Sequence, residues 1–275
     1  MMNIREPVLP GPWYPRSPEK IDEFLAFCKN QRVKNAAAAI APHAGWYYSG
    51  KIAAHSVSCL DETAETIIII GGHLPAGAPF LFAGENSMRT PYGLMPMDPE
   101  LRDLLAVKLD GRNDKYQDNT VEVLVPMVHS FFPRAKLLWM RFPADLTSFE
   151  AGKKIADAAR SLNRKIVVLG STDLTHYGSN YGYSPKGRGK SALEWVKNTN
   201  DAAFIKAVLA GNKTEVLRCA DEDRSACSAG AVLGVLGFVS QKECSGELLE
   251  YNTSADITND LSPDSFVGYA SIIWK

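Results

Sequence analysis

The chain has 275 residues, 45% of them apolar and 22% charged, which is the usage of an ordinary globular protein with enough apolar side chains for a sizeable core. At ~150 residues per domain, that length accommodates one large α/β domain or two small ones. Thirty Lys and Arg against 31 Asp and Glu leave a net charge of −1, which excludes the electrostatic footprint of a dedicated nucleic-acid or anionic-membrane binder. The five cysteines (Cys28, Cys59, Cys219, Cys227 and Cys244) are an odd set without a C-x-x-C pair. With no basic, apolar leader at the start, the expectation is a reduced cytoplasmic protein. No apolar run approaches the ~18–20 residues of a membrane span. The longest, Ala229 to Val239, is short and interrupted by glycines.

In chain order, Ser17-Pro18-Glu19 predicts a helix start, with Ser as cap and Pro in the first turn. Ile21, Phe24, Leu25 and Cys28 then share one helical face. Ala36 to Ala41 reads as a short strand ended by Pro42-His43-Ala44-Gly45, and Lys51 to Leu60 as a helix. Thr66 to Ile70 contains four consecutive isoleucines without alternation, the pattern of a strand buried on both faces. Asp98-Pro99 opens a helix to Leu109, and Asn119 to Phe132 reads as helical despite Pro126. Lys136 to Phe142 reads as a strand. Thr147-x-x-Glu150 predicts a capping box on a helix to Leu162, followed by a strand over Lys165–Leu169. Helices are expected over Lys190–Ala220 and Ser228–Val239, and closing strands over Glu247–Asn252 and Phe266–Trp274. Strands alternating with helices, and no Pro/Ser-rich linker, predict one α/β domain over residues 1–275 with a largely parallel or mixed sheet flanked by helices.

The polar chemistry gathers at predicted strand ends. His43 lies two residues past the first strand, His73 follows the isoleucines through Gly71-Gly72, and Asp173 and His176 follow Lys165–Leu169 through Gly170-Ser171. In open α/β sheets ligands bind at that edge. A lone His after a strand is ordinarily a hydrogen-bonded loop residue, but three at equivalent places point to a site. Asp173-x-x-His176 reads either as an Asx-type turn with a loop His or as a carboxylate orienting, or sharing a metal with, an imidazole. His55 and His129 fall in helical patterns and read as core or surface residues. Cys28, Cys59 and Cys219 read as small buried hydrophobes, and Cys244 as a loop residue. Cys227 stands at the expected start of the last helix, a position that favours the thiolate. Gly187 to Ser191 carries the end of a phosphate-binding loop without its first glycine or a preceding strand, and is rejected as one.

Several of these segments, taken together, resemble a known family. Gly11-Pro12-Trp13-Tyr14, Ala41-Pro42-His43-Ala44-Gly45, the isoleucine run ending in Gly-Gly-His73, Arg89-Thr90-Pro91 and Ser171-Thr172-Asp173-Leu174-Thr175-His176 occur in this order in Memo-family proteins, with Cys227 then preceding a small-residue helix. Bacterial and archaeal members are called AmmeMemoRadiSam system protein B, and the resemblance spans nearly the whole chain. The family is similar in fold to LigB-type class III extradiol dioxygenases, which are α/β proteins with non-haem iron. The resemblance implies His43, His73 and Cys227 as metal ligands, with Asp173 and His176 lining the same pocket. His176 would match the acid/base His of the dioxygenases, and Trp13 would lie near the mouth. Two departures are visible. Gly72-His73 stands where the family commonly has a His-His pair, and Asn119-Thr120-Val121-Glu122 where it commonly has H-S-x-E, leaving Asn119 and Glu122 as pocket residues.

The expected function is therefore that of a Memo-like protein with a metal pocket for Fe, Cu or Zn, carrying out dioxygenase-like or other metal-dependent redox chemistry. Non-haem Fe(II) oxygenases favour two His and a carboxylate, whereas a thiolate ligand shifts preference toward Cu(I), Zn or a redox-sensitive site. The alternative is a non-catalytic subunit whose pocket binds a small molecule or peptide, working beside the radical-SAM and Ammecr-type proteins that the resemblance implies. A third reading, a hydrolase using Cys227 and His176, requires the two within hydrogen-bond reach.

Overall fold

In the computed structural model, which describes residues 3–28 and 35–275, the isoleucine run lies at the centre of the molecule. Its strand extends from Thr66 to Leu74, and Ile67 to Ile70 are all inaccessible to solvent. Ile68 and Ile70 join one apolar cluster and Ile67 and Ile69 another, so the period-2 alternation of a strand feeds two cores on opposite faces of the sheet. Each such side chain contributes roughly 1.5–3 kcal/mol by burial.

The main sheet comprises β1 (Ala38–Ala41), β2 (Thr66–Leu74), β3 (Leu81–Phe82), β4 (Arg112–Asn113), β5 (Lys136–Pro143), β6 (Ile166–Ser171), β7 (His176–Gly178), β8 (Gly246–Thr253) and β9 (Ser265–Trp274). Its order is β7-β9-β1-β6-β2-β5-β3-β4, with β8 paired to β9. The central strands β1, β6, β2 and β5 are parallel neighbours, with Ile40 and Ile70 both opposite Gly170. β9 runs antiparallel to β1, β7 and β8. The sheet is thus mixed, and it takes strands from both ends of the chain. A separate three-stranded sheet joins Ile4–Arg5, Ser87–Thr90 and Gly93–Pro96. Among the described residues no helix is long and apolar enough to cross a membrane.

Helices cover both faces. Helix Trp46–Ser58 lies with one core, and helices Thr147–Ser161 and Ala229–Val239 with the other. All eleven residues of Ala229–Val239 are buried, which explains an apolar run with no polar face. A Cβ on Gly152 would overlap the Gly234 carbonyl, and one on Gly237 the Phe149 carbonyl, so glycine is what permits the two helices to approach this closely.

Ser17 caps the first helix, Pro18–Leu25, as expected, and Ile21, Leu25 and Cys28 are buried. Three expectations change. The Thr147–Glu150 capping box does not form; Leu146 occupies the cap position, and Asp145 instead accepts from the Thr147 amide at 2.9 Å and from its hydroxyl. Asn119–Phe132 is two helices, Asn119–Glu122 and Val125–Phe131, because Pro126 is accommodated only in a first turn. Helix Trp46–Ser58 begins five residues earlier than its apolar pattern indicates, directly after Gly45.

Candidate metal centre

β1, β6 and β2 are adjacent and parallel, so whatever follows their C-terminal ends is brought together. His43 follows β1, Asp173 follows β6, and His73 lies at the end of β2. Cys227 arrives from the segment ahead of helix Ala229–Val239. Its amide donates to the Asp173 carbonyl at 3.2 Å, and the Ser228 amide donates to Thr172 Oγ1 at 3.2 Å. Ser228 packs directly on Gly72, where any Cβ would collide with it, so Gly72 is the reason Cys227 reaches the side of His73.

The donor atoms of His43, His73 and Cys227 all lie within 4.8 Å of one another. Cys227 Sγ is 3.3 Å from His43 Nε2, and the two imidazoles are perpendicular at 5.1 Å between centroids. Each ring has its far nitrogen occupied. His43 Nδ1 shares a hydrogen bond with Ser171 Oγ at 2.9 Å, and His73 Nδ1 is 3.4 Å from Asp118 Oδ2. Such partners fix ring orientation and leave the near nitrogen for a ligand. His73 itself has a left-handed backbone, φ 56°, costly for a residue with a Cβ. The turn is braced on both sides. Arg141 Nε donates to the Gly72 carbonyl and the Gly72 amide donates to Thr120 Oγ1, each at 3.1 Å.

The electrostatics agree with this geometry. Burial alone would raise the Cys227 thiol, but the imidazoles of His43 and His73 outweigh it and hold the thiol well below its ordinary value. Burial likewise disfavours a charged His73, yet Asp118 and Cys227 raise it to about 10. Asp118 is lowered to about 2 against its own burial by His73, Thr120 and Arg141. Cys227 is thus poised as the thiolate between two imidazoles, the form in which a cysteine binds a metal. Two imidazoles and a low-pKa thiol, convergent and backed by hydrogen-bond partners, fit a transition-metal ion.

The other expected residues are placed as follows. Asp173 is buried; its Oδ1 accepts from the His43 amide at 2.7 Å, and its Oδ2 lies 3.9 Å from His43 Nε2. Burial raises the Asp173 carboxyl, and the neighbouring His43 only partly offsets this. His176 faces a cleft of about 650 Å³ above the cluster, with Nδ1 bonded to the Leu174 carbonyl at 3.1 Å and its ring against Tyr181. Trp13 and Asn119 also line that cleft, and Asn119 Nδ2 donates to the His43 carbonyl at 3.4 Å. Glu122 is not among the lining residues. It is buried, and its Oε1 accepts from the amides of Val8 and Leu9 and from Tyr14 hydroxyl, tying down the N-terminal segment. The imidazoles that bond the Cys227 thiol are those of His43, at 3.3 Å, and His73, whereas His176 Nδ1 bonds the Leu174 carbonyl, so among the described residues Cys227 pairs with these two and not with His176 as a hydrolase would require.

Outside the site, His129 bonds Thr90 Oγ1 at 2.6 Å and His55 approaches Glu250 at 2.6 Å, which is structural duty in both cases. Cys28, Cys59 and Cys219 are buried, and Cys244 Sγ points to the Val239 carbonyl at 3.9 Å. Asp118, Thr120, Ser171 and Arg141 escaped the sequence reading. Arg141 carried a signal, being the one cation within the apolar stretch Leu137–Pro143, where a buried charge needs a partner.

Comparison with known proteins bears on family and fold. A MEMO1 family protein of Pyrococcus abyssi is 30% identical, the alignment covering 99% of each chain. A MEMO1 family protein of Methanopyrus kandleri is 29% identical over 98% of this chain and 99% of that one. The crystal structure of an uncharacterized protein from Escherichia coli K12 matches with a TM-score of 0.54 at 14% identity, covering 87% of this chain and all of that one, a likeness of fold. The family model described as Memo-like protein matches residues 5–273. The chain belongs to the Memo-like protein family.

Proposed function

We propose that His43, His73 and Cys227 hold a transition-metal ion at the floor of the cleft, and that the protein carries out metal-dependent redox chemistry on a small molecule admitted there. The observation that supports this is the convergence of the three donor atoms within 4.8 Å of one another beside a cleft of about 650 Å³. The thiolate makes the donor set softer than two imidazoles and a carboxylate, which favours Cu or Zn over iron. When bound, such an ion supplies a Lewis-acid or redox centre. The chain's own residues do the rest. Asp173 fixes the His43 backbone through its amide. His176 lines the cleft, and with its Nδ1 held by Leu174 its Nε2 is left as the atom that takes or returns a proton. Trp13 shields one wall from water. Elemental analysis of protein purified without chelator tests the reading: stoichiometric Cu or Fe supports it, Zn supports the metal site but not the redox chemistry, and protein that neither contains nor takes up any of the three refutes it.

One observation favours a second reading. Asn119 lies in the cleft where the family commonly has a His, and its amide is spent on the His43 carbonyl, which leaves one fewer proton carrier. On that reading the pocket binds a small molecule or peptide without turnover, and the protein serves as a subunit beside radical-SAM and Ammecr-type proteins. Binding without substrate consumption by the metal-loaded protein would select it.

A further inference from the structure

The contacts that support the His73 turn come from residues 114–122, a segment with little structure of its own. It runs from the end of β4 into the four-residue helix Asn119–Glu122. Asp118 Oδ2 lies 3.4 Å from His73 Nδ1, Thr120 Oγ1 accepts the Gly72 amide at 3.1 Å, and Asn119 Nδ2 donates to the His43 carbonyl at 3.4 Å. A single helical turn is unstable by itself in water, so this segment must be held from outside. The start of the chain holds it at both ends. At one end Arg5 donates to the Asp114 carbonyl at 2.9 Å and to the Tyr116 carbonyl at 2.7 Å. Its guanidinium lies 4.3 Å from the centre of the Trp139 ring and pairs with Glu85 at 3.1 Å. Two carbonyls, a carboxylate and a ring face engage the planar fork of an arginine in a way that a lysine cannot copy. At the other end Glu122 Oε1 accepts from the Val8 amide at 2.9 Å, the Leu9 amide at 2.8 Å and the Tyr14 hydroxyl at 3.0 Å. Between these anchors and the cleft, Trp13 forms part of the wall, and its carbonyl accepts the Trp46 amide at 2.8 Å.

We propose that Arg5 and Glu122 are positioning residues for the His73 turn: residues 5–14 form a strap that locks residues 114–122 against Gly72 and His73. Neither residue touches the metal donors, and both act through Asp118 and Thr120. The strap gives no strand to the main sheet; Ile4 and Arg5 pair only with Ser87 and Met88 in the small sheet. Releasing it therefore loosens the ligand edge before the central core. Its effect on metal affinity rests on reading His43, His73 and Cys227 as ligands, whereas the coupling of strap to turn is measurable in metal-free protein.

Amide hydrogen exchange on metal-free full-length protein, with zinc affinity by chelator competition as a second readout, tests this. Arg5→Ala and Glu122→Ala should each speed exchange of the Gly72 amide about tenfold or more, while the amides of Ile67 to Ile70 keep their protection. Both should weaken zinc binding several-fold. Glu122→Gln keeps an oxygen for the same three donors and should restore slow exchange at Gly72. Arg89→Ala, which removes an exposed pair with Glu6 on the same strap, should move neither readout. Unchanged exchange at Gly72 in both alanine variants overturns the proposal. So does a rise matched across Ile67 to Ile70, which reports global destabilisation, or a local rise with zinc affinity unchanged. Wild-type protein that takes up no zinc, copper or iron refutes the metal reading instead, and the exchange pattern then decides on the strap alone.

Discussion

The same central strands end in two different environments. At their C-terminal ends the sheet opens into a cleft of about 650 Å³ with imidazoles and aromatic walls, and with the Cys227 thiol beside the imidazoles of His43 and His73. Beside their N-terminal ends lies a smaller depression of about 380 Å³, lined by Arg160, Arg164, Lys165 and Asp61 among others. The charges there are of an ordinary kind. Arg164 pairs with Glu100 at 2.7 Å, and Arg160 pairs with Asp157 one helical turn away. Exposed pairs of this sort contribute little. At the other end Arg141 and Asp118 are largely buried and run in series to His73, which stands on a left-handed turn and opens to the cleft. Polar side chains occur at both ends, and what separates the two is whether those groups have been taken out of water and given partners that shift them. A buried charge is present at the N-terminal end too, where Asp98 lies 3.6 Å from Arg164 and accepts from the Thr66 hydroxyl at 2.6 Å, but among the described residues only the C-terminal end gathers such groups around convergent metal donors.

Variants at the two ends can break this contrast. The largest effect is expected from the double change His43→Ala and His73→Ala, which should abolish metal uptake while thermal unfolding stays cooperative; retained stoichiometric metal would erase the distinction between the ends. Next comes Asp201, which is fully buried beneath the loop bearing Asp173 and His176. It accepts from the Thr175 amide at 3.1 Å and the Tyr251 hydroxyl at 2.7 Å. Burial raises its carboxyl from 3.8 to about 6, although Thr175 and Tyr251 oppose the rise. A raised folded-state value means that the folded chain holds its proton longer than the unfolded chain. Stability is therefore fully present below the unfolded value and lost as pH rises through about 6. The loss amounts to roughly 3 kcal/mol. Asp201→Asn should flatten that segment of a urea-midpoint profile, and a profile parallel to wild type would contradict the assignment.

A smaller effect tests the second layer of the site. Asp118→Asn weakens the hold on His73 and should reduce metal affinity by about 10–100-fold in chelator competition. An unchanged constant would mean that the brace is ornamental. At the opposite end, Arg160→Ala should leave metal binding unchanged and cost less than about 0.5 kcal/mol by denaturant titration. A larger loss would show that the two ends are not as different as their burial indicates.

Much of this contrast was legible in the residues. Four adjacent isoleucines require a strand with two covered faces, and Gly71-Gly72-His73 after them requires a sharp exit at the ligand edge. His43 and Asp173 follow by the same logic from neighbouring strands. Cys227 could be picked out from five cysteines because it alone stands before a helix, but its approach to His73 depends on Ser228 meeting Gly72, a long-range contact no local pattern announces. Asp118, Thr120 and Arg141 were hidden for the same reason, since their partners lie on other elements. Glu122 stood in a pocket motif by resemblance, yet it sits on a four-residue helix with its carboxylate among the amides of Val8 and Leu9. The small sheet of Ile4–Arg5, Ser87–Thr90 and Gly93–Pro96 escaped because strands of two to four residues carry no periodicity.

The central claim, that two imidazoles and the Cys227 thiolate share one ion, is tested most directly by X-ray absorption at the metal edge of the loaded full-length protein. The account predicts one sulfur at about 2.3 Å and two imidazole nitrogens at about 2.0–2.1 Å, with the sulfur lost in Cys227→Ser. A shell of oxygen and nitrogen alone in the wild-type protein, unchanged by that substitution, would contradict it.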